Sequence, residues 1–236
     1  MGFTDSVEIP RKTMVLFFVV DTSGSMMGDK IGAVNDAIRE TLPDLQDLSE
    51  NNADAKIKIA TLQFDSNVQW RNAEPVDSEN FVWNDLQAGG LTSLGAALLE
   101  LKDKLSVKKF MQEAVGSFAP VILFLSDGAP TDEYKPALEE AKENNWFKHA
   151  IKIAIAIGND ADKSVLAEVV GNTEAVIDVH NKETLKKLIR FVSVTSSQVN
   201  SKSSGVDDTT KSDKIIEQIQ DFVDTENIND IDDEEW

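Results

Sequence analysis

Residues 21 to 25 read Asp-Thr-Ser-Gly-Ser and follow directly on the apolar run "TMVLFFVV" (13–20). Four oxygen-bearing side chains in five positions admit two readings. Ser, Thr and Asp are good turn and cap residues. They are also hard oxygen donors of the kind that hold Mg²⁺, Mn²⁺ or Ca²⁺. Two more places carry the same chemistry after elements of similar character. Thr92 lies in "AGGLTSLG", a glycine-bearing loop that opens a helical pattern, and Asp127 lies in "SDGAPTD", after the apolar "PVILFL". The set Asp21, Ser23, Ser25, Thr92 and Asp127 is three hydroxyls and two carboxylates, with no imidazole nearby in sequence. Zinc and copper favour other donors. Neutral hydroxyls donate little charge, so a cation held mainly by them stays electrophilic and accepts an anionic oxygen from outside.

The elements that must position these residues alternate in type. The 13–20 run is continuous and rich in β-branched and aromatic residues, as a strand covered on both faces would be. Ile31, Val34, Ile38 and Leu42 then recur at steps of three and four, the mark of an amphipathic helix. "KIKIATLQF" (56–64) and "SNVQWR" flank a turn at 65–67 and predict a hairpin, hence one antiparallel edge. Leu94, Leu98, Leu101 and Leu105 share a helix face. "PVILFLSDG" (120–128) and "AIKIAIAIG" (150–158) are further buried strands, and "AVIDV" (175–179) is a short one. Helical patterns occupy 135–144, 162–170 and 182–197. Such alternation implies an α/β fold with a mostly parallel sheet and helices on both faces. Ligands of open parallel sheets bind beyond the carboxyl ends of strands, where strand order reverses. Asp21 and Asp127 each close a strand, so two strand ends and the Thr92 loop can meet above the sheet.

The 236 residues divide into three by composition. Residues 1–198 carry the alternating pattern, and 199–213 are polar and read as a linker. Residues 214–236 combine a short amphipathic helix, "KIIEQIQDFV", with an acidic tail. The formal net charge is −19. From 201 onward, 12 acids stand against 3 lysines, a net of −9 that leaves −10 for the rest. Nucleic-acid phosphate and anionic membranes are therefore excluded as partners. The absence of cysteine removes disulfides, thiolate metal sites and cysteine nucleophiles.

No apolar run approaches the ~20 residues that span a bilayer. "RKTMVLFFVV" has the outline of a signal peptide, but Asp5 and Glu8 precede it, no small-residue cleavage site follows, and Asp21 ends it. "MGFTDS" matches the short acylation pattern at Gly2 and Ser6, a pattern common by chance. The expected location is cytoplasmic.

"DTSGS" matches the D-x-S-x-S motif of von Willebrand factor type A (VWA) domains, which opens their metal-ion-dependent adhesion site. Thr92 in its Gly-rich loop and Asp127 of "SDG" match the family's other two motifs, in the family's order. The resemblance covers roughly 13–197 and is greatest to the cytoplasmic bacterial branch associated with tellurium resistance. It implies a Rossmann-like, doubly wound sheet with one short antiparallel edge strand. It also implies Ser23, Ser25 and Thr92 as direct metal ligands, with Asp21 and Asp127 acting mainly through metal-bound waters. The implied cofactor is Mg²⁺ or Mn²⁺, with Ca²⁺ less suited. The implied function is non-enzymatic: capture of an Asp or Glu carboxylate of a protein partner. The implied setting is a stress or tellurite-resistance system with kinase- or phosphatase-like partners. The chain's own acidic tail, through Glu234 or Glu235, is a candidate pseudo-ligand.

Two alternatives belong to other classes. A Mg²⁺-dependent phosphatase or phosphoacceptor uses an aspartate near a metal as nucleophile. Asp21 is not followed by the second aspartate of D-x-D phosphatases, and "IAIGNDAD" lacks the late lysine of a receiver. His149 precedes a strand, at the wrong end of a parallel sheet for a site, and His180 reads as a helix-start residue. No G-x-S-x-G, phosphate-binding Gly-Lys or G-x-G-x-x-G motif occurs. The third class is a scaffold whose metal site is unused.

Overall fold

A computed structural model describes residues 11–113, 116–159, 161–200 and 208–225. Strand β1 (Lys12–Asp21) is buried from its second residue to its last. Its alternate residues serve opposite faces, Met14, Leu16, Phe18 and Val20 on one and Val15, Phe17 and Val19 on the other. A strand with no polar face can only sit in the middle of a sheet. Helix α1 (Asp29–Asn51) follows and buries Ile31, Val34, Ile38, Leu42 and Leu45. It passes through Pro43. A mid-helix proline forfeits one backbone hydrogen bond, and here the packing of α1 along a later helix outweighs that loss.

Strand β2 (Ala55–Phe64) pairs parallel with β1. The hairpin follows as read: β3 (Val68–Trp70) returns antiparallel on β2. A further two-residue strand, β4 (Val76–Asp77), also pairs antiparallel with β2. Helix α2 (Leu94–Lys104) leads to β5 (Val121–Ser126). Helices α3 (Tyr134–Lys142) and α4 (Asn145–His149) precede β6 (Ile151–Ile157). Helix α5 (Lys163–Val170), β7 (Val176–Val179) and α6 (Lys182–Asn200) complete the alternation. The strand order is β3-β2-β1-β5-β6-β7, with β4 pairing β2 off this path. Helices α1 and α6 pack together over one sheet face, and α2, α3 and α5 cover the other.

This order places the reversal between β1 and β5. From β1 the chain winds outward through α1 to β2, and from β5 it winds the opposite way to β6 and β7. The crevice of a doubly wound sheet opens at such a point, beyond the carboxyl ends of the two central strands. Asp21 ends one of them, and Asp127 directly follows the other.

The last helix differs from the expectation. The stretch read as linker, 199–213, is helical at both ends, because α6 runs to Asn200 and α7 (Asp208–Thr225) begins well before residue 214. Residues 201–207 and the acidic tail from 226 lie outside the described residues, as does the Gly2 and Ser6 pattern. Polar residues there concealed the helix start. Helix α7 packs on its own domain, burying Ile215, Ile216, Ile219 and Val223. Phe222 stacks on Phe191 of α6 with ring centroids 4.1 Å apart. A helix of this length gains its stability from such packing. Ile219→Ala is expected to destabilise the domain by about 2–5 kcal/mol, the usual cost of emptying a buried isoleucine site. Urea denaturation followed by circular dichroism measures it, and an unchanged midpoint would mean that α7 adds nothing to the core.

Candidate metal centre

The chain turns as soon as β1 ends. The Ser23 amide donates to Asp21 Oδ1 at 2.8 Å, closing an aspartate turn. Thr22 faces away from the crevice, and its Oγ1 donates to the Phe64 carbonyl at 3.2 Å. Among the four oxygen side chains of "DTSGS", Thr22 is thus a turn residue tied to β2. The other three face β5.

Asp21 is fully buried, and its Oδ2 accepts from Ser126 Oγ at 2.6 Å. Burial pushes the Asp21 carboxyl above the ordinary aspartate range, opposed by bonds from Ser126 and Ser23, with the Asp127 charge adding to the rise. A second chain of contacts starts beside it. Ser23 Oγ lies 3.0 Å from Ser25 Oγ, and Ser25 Oγ donates to Asp127 Oδ1 at 2.7 Å. Asp127 Oδ2 takes the Lys30 ammonium at 2.5 Å. A hydroxyl that gives its proton to a carboxylate turns its lone pairs the other way. Asp127 and Asp21 so orient Ser25 and Ser126 as acceptors.

Thr92 arrives on a loop tied at five consecutive residues. Gly89 N donates to the Thr22 carbonyl at 2.8 Å, and the Gly90 carbonyl accepts from Gly24 N at 3.0 Å. Leu91 N donates to Ser66 Oγ at 2.9 Å, and Ser93 N to the Asp65 carbonyl at 2.9 Å. Thr92 itself is clasped by Thr131: its amide donates to Thr131 Oγ1 at 3.1 Å, and its carbonyl accepts from Thr131 N at 2.8 Å. Asp132 then caps α2 by accepting from Gly95 N and Ala96 N, both at 3.0 Å. Gly90 has φ +86°, and a Cβ there would lie 2.6 Å from Ser66 Oγ, so only glycine lets the loop pass.

Gly128 locates the meeting point. A Cβ built on it would lie 3.5 Å from Ser25 Oγ, 3.7 Å from Thr92 Oγ1 and 4.0 Å from Asp21 Oδ2. Oxygens from three separate segments therefore surround one small space, and all five residues read from the sequence lie at this end of the sheet. Ser25 is exposed while Asp21, Ser23, Thr92 and Asp127 are buried, so the space opens to solvent on the Ser25 side. The donor set fits a hard divalent cation: every atom is oxygen, and the two carboxylates supply the negative charge. Among the described residues no cluster of three or more His, Cys, Asp or Glu could hold a metal. Neither histidine competes. His149 ends α4 below β6, and His180 pairs with Asp178 beside the edge strand β7.

The von Willebrand factor type A domain model matches residues 16–191, well over half of the chain. The chain belongs to this family. The VWA domain is 23% identical over 188 residues to inter-alpha-trypsin inhibitor heavy chain H2 of Sus scrofa, covering 75% of this chain and 19% of that protein. It therefore spans about a fifth of the length of this curated relative. A von Willebrand factor type A structure from Catenulispora acidiphila superposes with a TM-score of 0.60 at 16% identity, over 78% of this chain and 42% of that one. Proximal thread matrix protein 1 of the mussel byssus, with a zinc-occupied MIDAS (metal-ion-dependent adhesion site) motif, gives 0.55 at 16% identity over 78% and 48%. These likenesses establish the fold.

Several residues of the centre escaped the sequence reading. Ser126 sat in plain view in "SDG" but carried no separate signal. Lys30 carried no signal of its own in the sequence. Asp65 and Ser66 were read as a bare turn, yet they anchor the Thr92 loop, a role that exists only once β2 and that loop are neighbours. Gly128→Ala is expected to abolish divalent-cation binding while leaving the fold intact, because its methyl makes only ordinary contacts yet fills the space the oxygens share. Isothermal calorimetry with Mg²⁺ and Mn²⁺, beside a thermal melt, checks this. Undiminished affinity would move the cation elsewhere.

Proposed function

We propose that this VWA domain is a protein-binding module that captures an acidic side chain of a partner at a divalent cation. Asp21, Ser23, Ser25, Thr92 and Asp127 hold the cation, with the three hydroxyls as direct ligands. The observation that carries this reading is the convergence of Ser25 Oγ, Thr92 Oγ1 and Asp21 Oδ2 around Gly128, with Ser25 open to solvent. Charge supports it. Two carboxylates and the Lys30 ammonium carry formal charges that sum to −1. A divalent cation reverses that sign and supplies a Lewis-acid position for an incoming carboxylate oxygen.

The rim refines the partner. Met27 and Leu91 are 64% and 59% exposed on the two loops that carry Ser25 and Thr92. The bond between Gly24 N and the Gly90 carbonyl holds those loops side by side. A partner whose acidic residue is flanked by apolar side chains fits both. The phosphatase or phosphoacceptor alternative needs a carboxylate free to attack. Asp21 is held by Ser126 and the Ser23 amide, and Asp127 by Ser25 and Lys30, each behind a nearly closed surface. A cavity of about 800 Å³ exists elsewhere, between α1, α6 and α7, and none of the five site residues lines it.

The proposed metal is Mg²⁺ or Mn²⁺; because the mussel protein's MIDAS takes zinc, Zn²⁺ belongs in the same titration. Among the described residues no helix is long and apolar enough to cross a membrane. The cytoplasmic location, the stress or tellurite-resistance setting and the kinase- or phosphatase-like partners rest on the sequence resemblance. Capture of Glu234 or Glu235 as a pseudo-ligand concerns residues outside those described. It is tested by truncation after Thr225, since cutting at 200 would remove the buried face of α7.

Ser25→Ala is expected to weaken Mg²⁺ or Mn²⁺ affinity by on the order of 10–100-fold, at least the effect that outer-sphere partners command. It should also abolish the EDTA-sensitive share of partner recovered from cell extract. Unchanged affinity by calorimetry would refute the site. Replacing Met27 and Leu91 together by serine should weaken partner capture by about tenfold, at an ordinary cost of one to two apolar contacts, with metal affinity untouched. Loss of both together would mean that the rim shapes the cradle itself.

A further inference from the structure

We propose that Lys30 is a tethered cation that competes with the divalent ion for Asp127 and so sets the affinity of the metal centre. This rests on the metal reading above. The Lys30 ammonium lies 2.5 Å from Asp127 Oδ2, with 16% of the lysine side chain and none of the aspartate side chain exposed. Solvent and salt screen such a shielded pair far less than a surface one. Both Asp127 oxygens are engaged, Oδ1 accepting from Ser25 Oγ and Oδ2 from the Lys30 ammonium. Among the described residues, Lys30 forms the one ion pair made by either carboxylate of the centre.

Placement on the helix gives an independent reason. Lys30 is the second residue of α1, where the backbone dipole presents its positive end. The dipole disfavours a lysine there, and the Asp127 carboxylate compensates. The same dipole weakens the ammonium's hold once another cation draws on Asp127. A monovalent and a divalent charge sharing one carboxylate at intermediate dielectric repel by several times thermal energy. Lys30 therefore does two things. It offsets the repulsion between the neighbouring Asp21 and Asp127, keeping their strand ends together, and it raises the cation concentration needed to load the site. Its long flexible stem lets the ammonium swing clear without moving α1.

The experiment is calorimetric titration of the full chain with MgCl₂ and MnCl₂, comparing wild type with Lys30→Met and Lys30→Gln. Both variants are expected to bind the metal on the order of tenfold tighter, the size of an ordinary coupling between two sites. Without metal both should unfold at lower urea concentration than wild type, and saturating Mn²⁺ should remove that deficit. Lys30→Arg, which keeps the charge, should bind as wild type does. If neither variant folds without metal, reductive ¹³C-methylation of the wild type supplies the readout. The Lys30 methyl signal should move to the exposed-lysine position on Mg²⁺ saturation, and a fixed signal overturns the inference. Wild-type binding with no tightening in the variants, or with weakening, sinks the role of Lys30 and leaves the metal centre standing. No divalent binding by any of the chains overturns both.

Discussion

Two carboxylates buried side by side at the ends of adjacent parallel strands are the constraint on which the rest of this molecule depends. Asp21 closes β1 and Asp127 directly follows β5, at the point where strand order reverses. Neither can reach bulk water, and the Asp127 charge raises the cost of ionising Asp21. Buried charge is tolerated only when paired or fully hydrogen-bonded. The surroundings supply this in full: Ser126 and the Ser23 amide for Asp21, Ser25 and Lys30 for Asp127.

The surrounding loops hold neutral hydroxyls beside that spot. A serine or threonine hydroxyl is a useful ligand only when its proton is committed elsewhere and its backbone cannot drift. Ser25 commits its proton to Asp127. Thr92 is fixed through its backbone, by Thr131 on one side and by the bonds of Gly89, Gly90, Leu91 and Ser93 on the other. These ties come from β1, β2 and the loop after β5, so the cradle is only as rigid as the packing of the central strands. The apolar body on both sheet faces is in that sense part of the site.

The far end of the chain obeys a different rule. Helix α7 is net acidic, and like most helices in proteins it draws its stability from packing rather than from propensity. It is ordered by laying Ile215, Ile219 and Val223 on the core shared by α1 and α6, and by the Phe191–Phe222 stack. Helix α1 shows the same principle, running through Pro43 because the face it buries on either side is continuous. In both places tertiary contacts override local preference, and at α7 the sequence pattern alone placed the helix start too late.

The residues themselves determined a good deal. Continuous apolar runs identified strands that must be covered on both faces, three- and four-residue spacing identified the helices between them, and their alternation dictated a parallel α/β sheet. The order of "DTSGS", Thr92 and "SDG" along the chain, each at the end of such an element, nominated five oxygen donors. Periodicity reports burial, which is a local property of the pattern, so it was legible without coordinates. Tertiary structure alone decided which strands are neighbours, and hence that Asp21 meets Ser126, that Ser66 anchors Leu91, and that Thr22 turns away. It alone placed Lys30 on Asp127, 97 residues distant in the chain. Contacts of that kind depend on strand order and on where loops cross, and no residue carries a sign of its distant partner. The five oxygen-bearing residues could be named from the chain, but the Lys30 ammonium beside Asp127 could not.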